Sequence, residues 1–359
     1  MIPYYAMYLL LLLLNNIAKN SYQDKKRRAY FFCISSFVVV CALLALRHQT
    51  MGADLNGNHK TGRLGYLDSF DVLNQKTWWD ILNLKEFLNY EKGYIVFNKF
   101  VGTIYNDRQV FLAICAFVST LPVMIYIKNR SANPLTSVLL YVGLPVFLMS
   151  FSGLRQAIAI GITVFSMKYI EEKKLVKFLM IIFLATLFHR SSVTFIVAYP
   201  LYHLNLSNSR KLLLALVIPV VYVLKVPLFN IFSKIYSENA VVEETGAFTL
   251  FLVFFLVYIF LIFFNKDDDK KQNGMINLFY FACICQAFGG VYQLAMRIGY
   301  YFMIYAVIAI PNTIDKMEDR RSAKLANILI FLAFVGFGIY SLRNSTWAMS
   351  YPYKFFWQK

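Results

Sequence analysis

Residues 25–47 read KKRRAYFFCISSFVVVCALLALR: four consecutive cations, an apolar run from Ala29 to Leu46, then Arg47. At about 1.5 Å of helical rise per residue, such a run reaches across a hydrocarbon core of roughly 30 Å. Inside lipid every backbone N–H needs an internal partner, so the run is expected to be a helix. The pattern recurs along the chain. With Met1–Ile17 as the first block, others follow at 29–46, 110–127, 134–151, 154–170, 177–188, 192–203, 212–228, 248–264, 275–291, 298–314 and 325–342. Of the 359 residues, 59% are hydrophobic and 15% charged, more apolar surface than a soluble core of this length hides. The expected fold is an all-α polytopic membrane protein with about 12 transmembrane helices. No internal repeat or low-complexity tract stands out, so 1–359 is expected to be one membrane domain. The first block has a basic run after it and none before it, the reverse of a secretory signal, and reads as a retained helix.

A net charge of +17 would suggest a nucleic-acid partner in a soluble protein. Here the cations sort into alternate loops: Lys19 with Lys25 to Arg28, Lys128 and Arg130, Lys173, Lys174 and Lys177, Arg210 and Lys211, Lys266, Lys270 and Lys271, and Lys316, Arg320, Arg321 and Lys324. No nucleic acid is therefore expected. The positive-inside rule makes these loops cytoplasmic and puts both termini outside. The connection 47–109 is then a large outer loop. Within it Trp78, Ile81, Leu82, Leu84, Phe87 and Leu88 recur at helical spacing between Asp80, Asn83, Lys85 and Glu86, which predicts an amphipathic interfacial helix. A second outer segment, 230–246, carries Glu238, Glu243 and Glu244. The cysteines Cys33, Cys41, Cys115, Cys283 and Cys285 all lie in apolar blocks without metal-ligand spacing and read as small hydrophobes.

Positive-inside does not account for the arginines on the expected outer face: Arg47, Arg155, Arg190 and Arg297. Arg155, Arg190 and Arg297 are expected to begin helices, where the partial positive charge of the N-terminus disfavours a cation by about 0.3 to 1 kcal/mol. An anion among them would remove that frustration, and helix-start N–H groups with guanidinium forks suit a phosphate or diphosphate. The competing reading is that they snorkel to headgroups or pair with a carboxylate. Arg47 ends its helix, where a cation is favoured in any case.

The block from Lys177 to His189 spans only about 18 Å, less than a bilayer core, which sinks His189 and Arg190 into a protein-lined cavity. His189 could act there as a general base or as a structural hydrogen-bonding group. His48 and His59 are expected outside and His203 near the inner face. Two further outer carboxylates, Asp54 and Glu91, are candidate bases or ordinary loop ion-pair partners. The run Asp267-Asp268-Asp269 falls in an inner loop and reads as solvated charge. No Walker loop, GxGxxG, HExxH or serine elbow appears.

Several stretches, taken in order, resemble the EpsG family, bacterial polysaccharide polymerases of the Wzy type. They are Leu46-Arg47-His48-Gln49-Thr50-Met51-Gly52-Ala53-Asp54, Tyr90-Glu91-Lys92-Gly93-Tyr94 with Asn98, Ser152-Gly153-Leu154-Arg155-Gln156-Ala157-Ile158-Ala159, Leu187-Phe188-His189-Arg190-Ser191-Ser192, Arg297-Ile298-Gly299-Tyr300-Tyr301-Phe302 and Tyr351-Pro352-Tyr353. The family usually has a tyrosine a few residues after Gly-x-Asp; here Leu55-Asn56-Gly57-Asn58 follows, and Tyr66 lies further on.

The resemblance implies a GT-C-like membrane glycosyltransferase at the outer face of the bacterial cytoplasmic membrane, building O-antigen, capsule or exopolysaccharide. Its partners would be an undecaprenyl-diphosphate-linked oligosaccharide donor and acceptor, membrane lipid and a chain-length regulator. In that scheme Arg155, Arg190, Arg297 and Arg47 hold the diphosphate, and His189, Glu91 or Asp54, in that order, takes the acceptor proton. No metal and no cofactor is expected, since arginines supply the positive charge. The Trp78-Trp79 helix would form a lid or lipid rim. Rival readings are a transporter of lipid-linked glycan, which predicts internal repeats and broken helices that the sequence does not display, and a glycan ligase.

Overall fold

The computed structural model describes residues 1–57, 63–236, 248–265 and 269–358. Among them regular structure is helical, apart from isolated bridges such as Arg47 with Phe355. The chain divides into two compact units, Met1–Val193 with Leu329–Lys359, and Thr194–Ile328.

In the first unit, α1 (Ile2–Ser21) and α2 (Lys25–Ala45) form a hairpin; Asp24 caps α2 by accepting from the Arg27 N–H. Next come α3 (Tyr66–Gln75), α4 (Trp78–Asn83) and α5 (Lys92–Ile104), then α6 (Arg108–Arg130), capped by Asp107 and packed along α2. After α6 the block expected at 134–151 is divided. Here α7 (Pro134–Gly143) ends at an extended Leu144 and Pro145 starts the single turn α8 (Pro145–Leu148), because proline cannot continue the helical ladder behind it. Then α9 (Leu154–Glu171) packs against α6 and α10 (Leu175–Thr186), and a 3-10 helix runs over Arg190–Val197.

The second unit holds α11 (Ala198–His203), α12 (Asn208–Ala215), α13 (Val217–Val223), α14 (Lys225–Tyr236), α15 (Phe248–Phe264), α16 (Lys270–Ala287), α17 (Gln293–Met303) and α18 (Ala306–Asp315). The last long helix is α19 (Arg320–Asn344).

Three helices, α2, α6 and α19, are long and apolar enough to cross a membrane, or five spans if each bent pair is counted as one. The bends are 78° between Asn208–Val223 and Lys225–Ile231, and 41° between Leu294–Met303 and Ala306–Asp315. Sharp bends between consecutive apolar helices, which the sequence does not display, are therefore present. Leu329 and Leu332 on α19, and Val38 on α2, are more than half exposed, as lipid-facing positions must be.

The segment 47–109 is more structured than the outer loop expected there. Tyr66, Leu67, Phe70, Tyr94 and Val101 bury against Phe111, Leu112, Cys115, Leu154 and Ile158, seating α3 and α5 on α6 and α9. The amphipathic helix is shorter than its apolar spacing predicts. The capping box of Thr77 and Asp80 starts it, but it stops at Asn83. Lys92 Nζ donates to the carbonyls of Ile81, Leu82 and Leu84 at 2.8, 2.8 and 2.9 Å, and Leu88 then turns at φ 50°. An ammonium held on those carbonyls is a better terminus than another helical turn.

The 46–54 stretch is locked to the 150–152 turn and to the chain's last residues. Arg47, 1% exposed, donates to the carbonyls of Ser150 at 2.6 Å and Phe151 at 3.3 Å. The His48 N–H donates to Lys354 O, and the Phe356 N–H donates to Leu46 O. Gly52 has φ +130°, and a Cβ there would lie 2.1 Å from the Phe151 carbonyl oxygen. Gly52→Ala is expected to cost about 1 to 3 kcal/mol, from strain and collision together, read as a lowered thermal midpoint of the detergent-purified protein.

Candidate functional site

Because α9 and α10 pack as an antiparallel pair, the start of one lies beside the end of the other. Arg155, the second residue of α9, therefore comes close to His189 and Arg190, which follow α10. The third contributor is the start of α5. Gly93 allows it: a Cβ at this position would stand 2.7 Å from Leu187 Cβ and from the Leu187 carbonyl oxygen. The Tyr94 N–H donates to that same carbonyl at 3.0 Å. With α5 pressed this close to the end of α10, its preceding residue, Glu91, reaches both helices.

Glu91 Oε2 accepts from the Arg155 guanidinium at 2.6 Å. Its Oε1 accepts the Arg190 backbone N–H at 2.9 Å and lies 3.6 Å from His189 Nδ1. That last distance is too long for a well-made hydrogen bond, and the two groups form an ion pair only when the imidazole is protonated. Side-chain exposure is 7% for Glu91, 15% for Arg155 and 19% for His189, so the ion pair is shielded while the imidazole keeps access to the outside. Arg155 is held further by the Asn89 carbonyl at 2.8 Å, the Tyr66 hydroxyl at 3.4 Å, and the Tyr90 ring 4.4 Å beneath its guanidinium carbon.

Burial by itself would raise the Glu91 carboxyl. Contact with His189, the charge of Arg155 and the Arg190 amide outweigh it and bring the group down to about 2. A carboxylate this weakly basic is a poor proton acceptor near neutrality and a good permanent anion. The anion that relieves Arg155 at the start of α9 is thus the chain's own Glu91, the carboxylate-paired alternative of the sequence reading.

The remaining candidates are placed as follows. The Arg190 side chain is exposed and, among the described residues, has no hydrogen-bond or ion-pair partner. Asp54 is half-buried, pairs with Arg63 at 3.5 Å, and receives a hydrogen bond on its carbonyl from the Tyr66 N–H. Arg47 spends its guanidinium on the carbonyls of Ser150 and Phe151. Arg297 belongs to the second unit and does not begin a helix, since α17 starts four residues earlier at Gln293. His48 bonds locally with Thr50 at 2.9 Å, and His203 packs edge-on to the Tyr199 and Tyr202 rings. His59, Asp267, Asp268, Glu238, Glu243 and Glu244 lie outside the described residues, whereas Asp269 caps α16 and pairs with Lys316.

Tyr66 is the residue that sequence reasoning underrates. Its ring stacks on Tyr90 with centroids 5.7 Å apart, and its hydroxyl reaches Arg155. The signal that could find it is the placement of Tyr66, Phe70 and Leu73 on one helical face. Among the described residues no cluster of three or more potential metal ligands forms.

Comparison with protein families matches residues 36–355 to the EpsG family. The chain belongs to the EpsG family. Comparisons with curated proteins and with solved structures find no match. The matched span takes in the 46–54 stretch, the Glu91–Arg155–His189 cluster and the closing Tyr351-Pro352-Tyr353, so the family assignment covers both the scaffold and the candidate site. Together with its apolar helices, this makes the EpsG-family chain a helical membrane protein.

The folded Glu91 carboxyl lies below its ordinary 4.5, so its stabilising contribution is complete above that pH and is lost as the pH falls through about 2. Glu91→Gln is expected to lower stability by about 3 to 5 kcal/mol, because Arg155 is left buried without its anion. The gap between wild type and variant should hold near about pH 5 and close as acid is added, which thermal unfolding across pH would measure.

Proposed function

We propose that this EpsG-family chain is a polysaccharide polymerase that moves a glycan from a lipid diphosphate onto the non-reducing end of a new lipid-linked repeat unit. The carrier would be undecaprenyl diphosphate, and the reaction would take place at the outer face of a bacterial cytoplasmic membrane. On this reading the chain crosses about a dozen times in a GT-C-like arrangement with both termini outside. The observation that carries the proposal is the Glu91 carboxylate held between Arg155, the Arg190 N–H and His189, within a chain of this family.

The residues divide the work by their surroundings. Glu91, permanently ionised, sits beside the imidazole, and His189 takes the proton from the acceptor hydroxyl as its oxygen attacks the anomeric carbon. The bond from that carbon to the diphosphate breaks, and the leaving diphosphate gathers negative charge. The exposed Arg190 meets that charge first, with Arg155 behind it; Arg297, in the second unit, is kept as a diphosphate ligand on its place in the sequence alone. Each preorganised donor lowers the barrier by about 3 to 4 kcal/mol. Asp54 is a reserve base, its carboxylate engaged among the described residues by an exposed arginine. Charge supplied by arginine makes a metal ion dispensable.

The bent pairs favour a second reading, a transporter that binds the same diphosphate without breaking a bond, since broken helices are a feature of such proteins. Purified protein in vesicles, given lipid-linked repeat units without nucleotide sugar, separates the two. A growing ladder that survives a chelator supports the polymerase. Lipid movement with no new glycosidic bond would establish the transporter, and transfer only to a different acceptor would indicate a ligase. His189→Gln is expected to slow ladder growth by about 10²- to 10⁴-fold while lipid-diphosphate binding is kept. Arg155→Ala and Arg297→Ala are each expected to yield single-unit glycans from inserted protein; normal long chains from both would remove the anion site.

A further inference from the structure

A cavity of about 660 Å³ opens between the beginning of α2 and the end of α6, away from the Glu91 cluster in sequence and in the elements that form it. Lys26, Arg27 and Lys128 stand on its wall, while Tyr30, Phe31 and Ile34 supply an apolar side. Among the described residues no carboxylate lines it. Asp24 is the neighbouring acid, and its carboxylate accepts the Arg27 N–H as the cap of α2. Lys128 lies over the Tyr30 ring at 5.5 Å, and among the described residues none of the three cations has an ion-pair partner. The first turn of α2 carries no acidic residue and reads Lys25-Lys26-Arg27-Arg28, so like charges crowd a helix start that is itself partly positive. Both helices are long and apolar enough to cross a membrane, and spans of that length end near the phospholipid headgroups.

We propose that this groove is a binding site for an anionic phospholipid of the surrounding bilayer. The phosphodiester sits among Lys26, Arg27 and Lys128, and an acyl chain descends along Phe31 and Ile34. Charge complementarity selects this occupant. Three cations without an ion-pair partner among the described residues call for an anion, and the apolar wall beside them calls for a tail, which a free phosphate lacks. Tyr22 and Tyr30, both in its lining, suit the interface between the two.

The test uses the full chain in detergent and native mass spectrometry, titrating phosphatidylglycerol against phosphatidylcholine with the same acyl chains. Retention of phosphatidylglycerol over phosphatidylcholine is the expected result. Lys26→Gln with Lys128→Gln is expected to weaken it by roughly 10- to 30-fold, the scale of losing two cations beside a headgroup. Arg320→Gln with Arg321→Gln, an equal loss of charge at another helix start, should leave it unchanged. Ile34→Trp, at a position 45% exposed, fills the apolar side without altering charge and should also weaken retention. Equal retention of both lipids, equal loss in the Arg320 and Arg321 control, or an indifferent Ile34→Trp would overturn the proposal. Displacement of the lipid by inorganic phosphate alone would show a simple anion site and overturn the lipid assignment.

Discussion

Glu91 is a carboxylate with 7% of its side chain exposed, and removing such a group from water costs several kcal/mol unless partners restore what water gave. Its partners come from separate places in the chain: a guanidinium from the first turn of α9, and an amide and an imidazole from the segment after α10. The candidate site exists only while these segments remain together, because none of them can satisfy that charge alone. Removing any one contact also weakens the others: without Glu91, Arg155 stands over Tyr90 as an unneutralised buried cation, and His189 loses the anion beside its ring. A contact network of this kind holds position more than it adds net stability, which is what a site that must align a base with a reacting oxygen requires.

The scaffold under the cluster solves a similar problem without a carboxylate. Arg47 is buried to 1% exposure, and its ligands are the main-chain carbonyls of Ser150 and Phe151. Burial pushes its guanidinium down to about 10, still cationic near neutrality. Because Gly52 approaches the same Phe151 carbonyl and Ser152 Oγ accepts the Asp54 N–H, the turn that leads into α9 is fixed from the 46–54 side. Arg155 follows that turn at once, so the orientation of the site's main cation is set by backbone contacts around Arg47.

Much of the helical frame is legible in apolar runs alone: 248–264 emerges as α15, 154–170 as α9, and the short 177–188 block as the twelve-residue α10. Block length and composition carry that information directly. What they do not carry is pairing across the chain. Glu91 and Arg155 are 64 residues apart, and nothing local distinguishes Glu91 from a loop carboxylate. Arg297 is misplaced by the apolar pattern because Gln293 to Met296 extend the helix upstream of the residue expected to begin it. Within 47–109 the interfacial spacing of Trp78 to Leu88 draws attention from α3, although Lys92, ten residues beyond Leu82, is what ends the tryptophan helix.

Cations at helix starts are common to the Glu91 cluster and to the groove beside α2. Such a cation is opposed by the helix's own field, and the opposition can be relieved from inside or outside the protein. At α9 relief is internal, since Glu91 arrives on another helix and seals Arg155 against water. At α2 the available carboxylate is occupied in capping, and Lys26 and Arg27 face an open groove with an apolar wall. An internally neutralised cation is suited to act late, when a reacting group adds charge to what Glu91 already balances. An unneutralised pair at a groove is suited to retain an anion at rest. Arg190 shares features of both: its backbone N–H is committed to Glu91, while its side chain is free to meet an anion arriving from outside. That division within one residue couples the settled ion pair to the incoming charge, and it is why Arg190, rather than the more buried Arg155, is assigned the first contact with the leaving diphosphate.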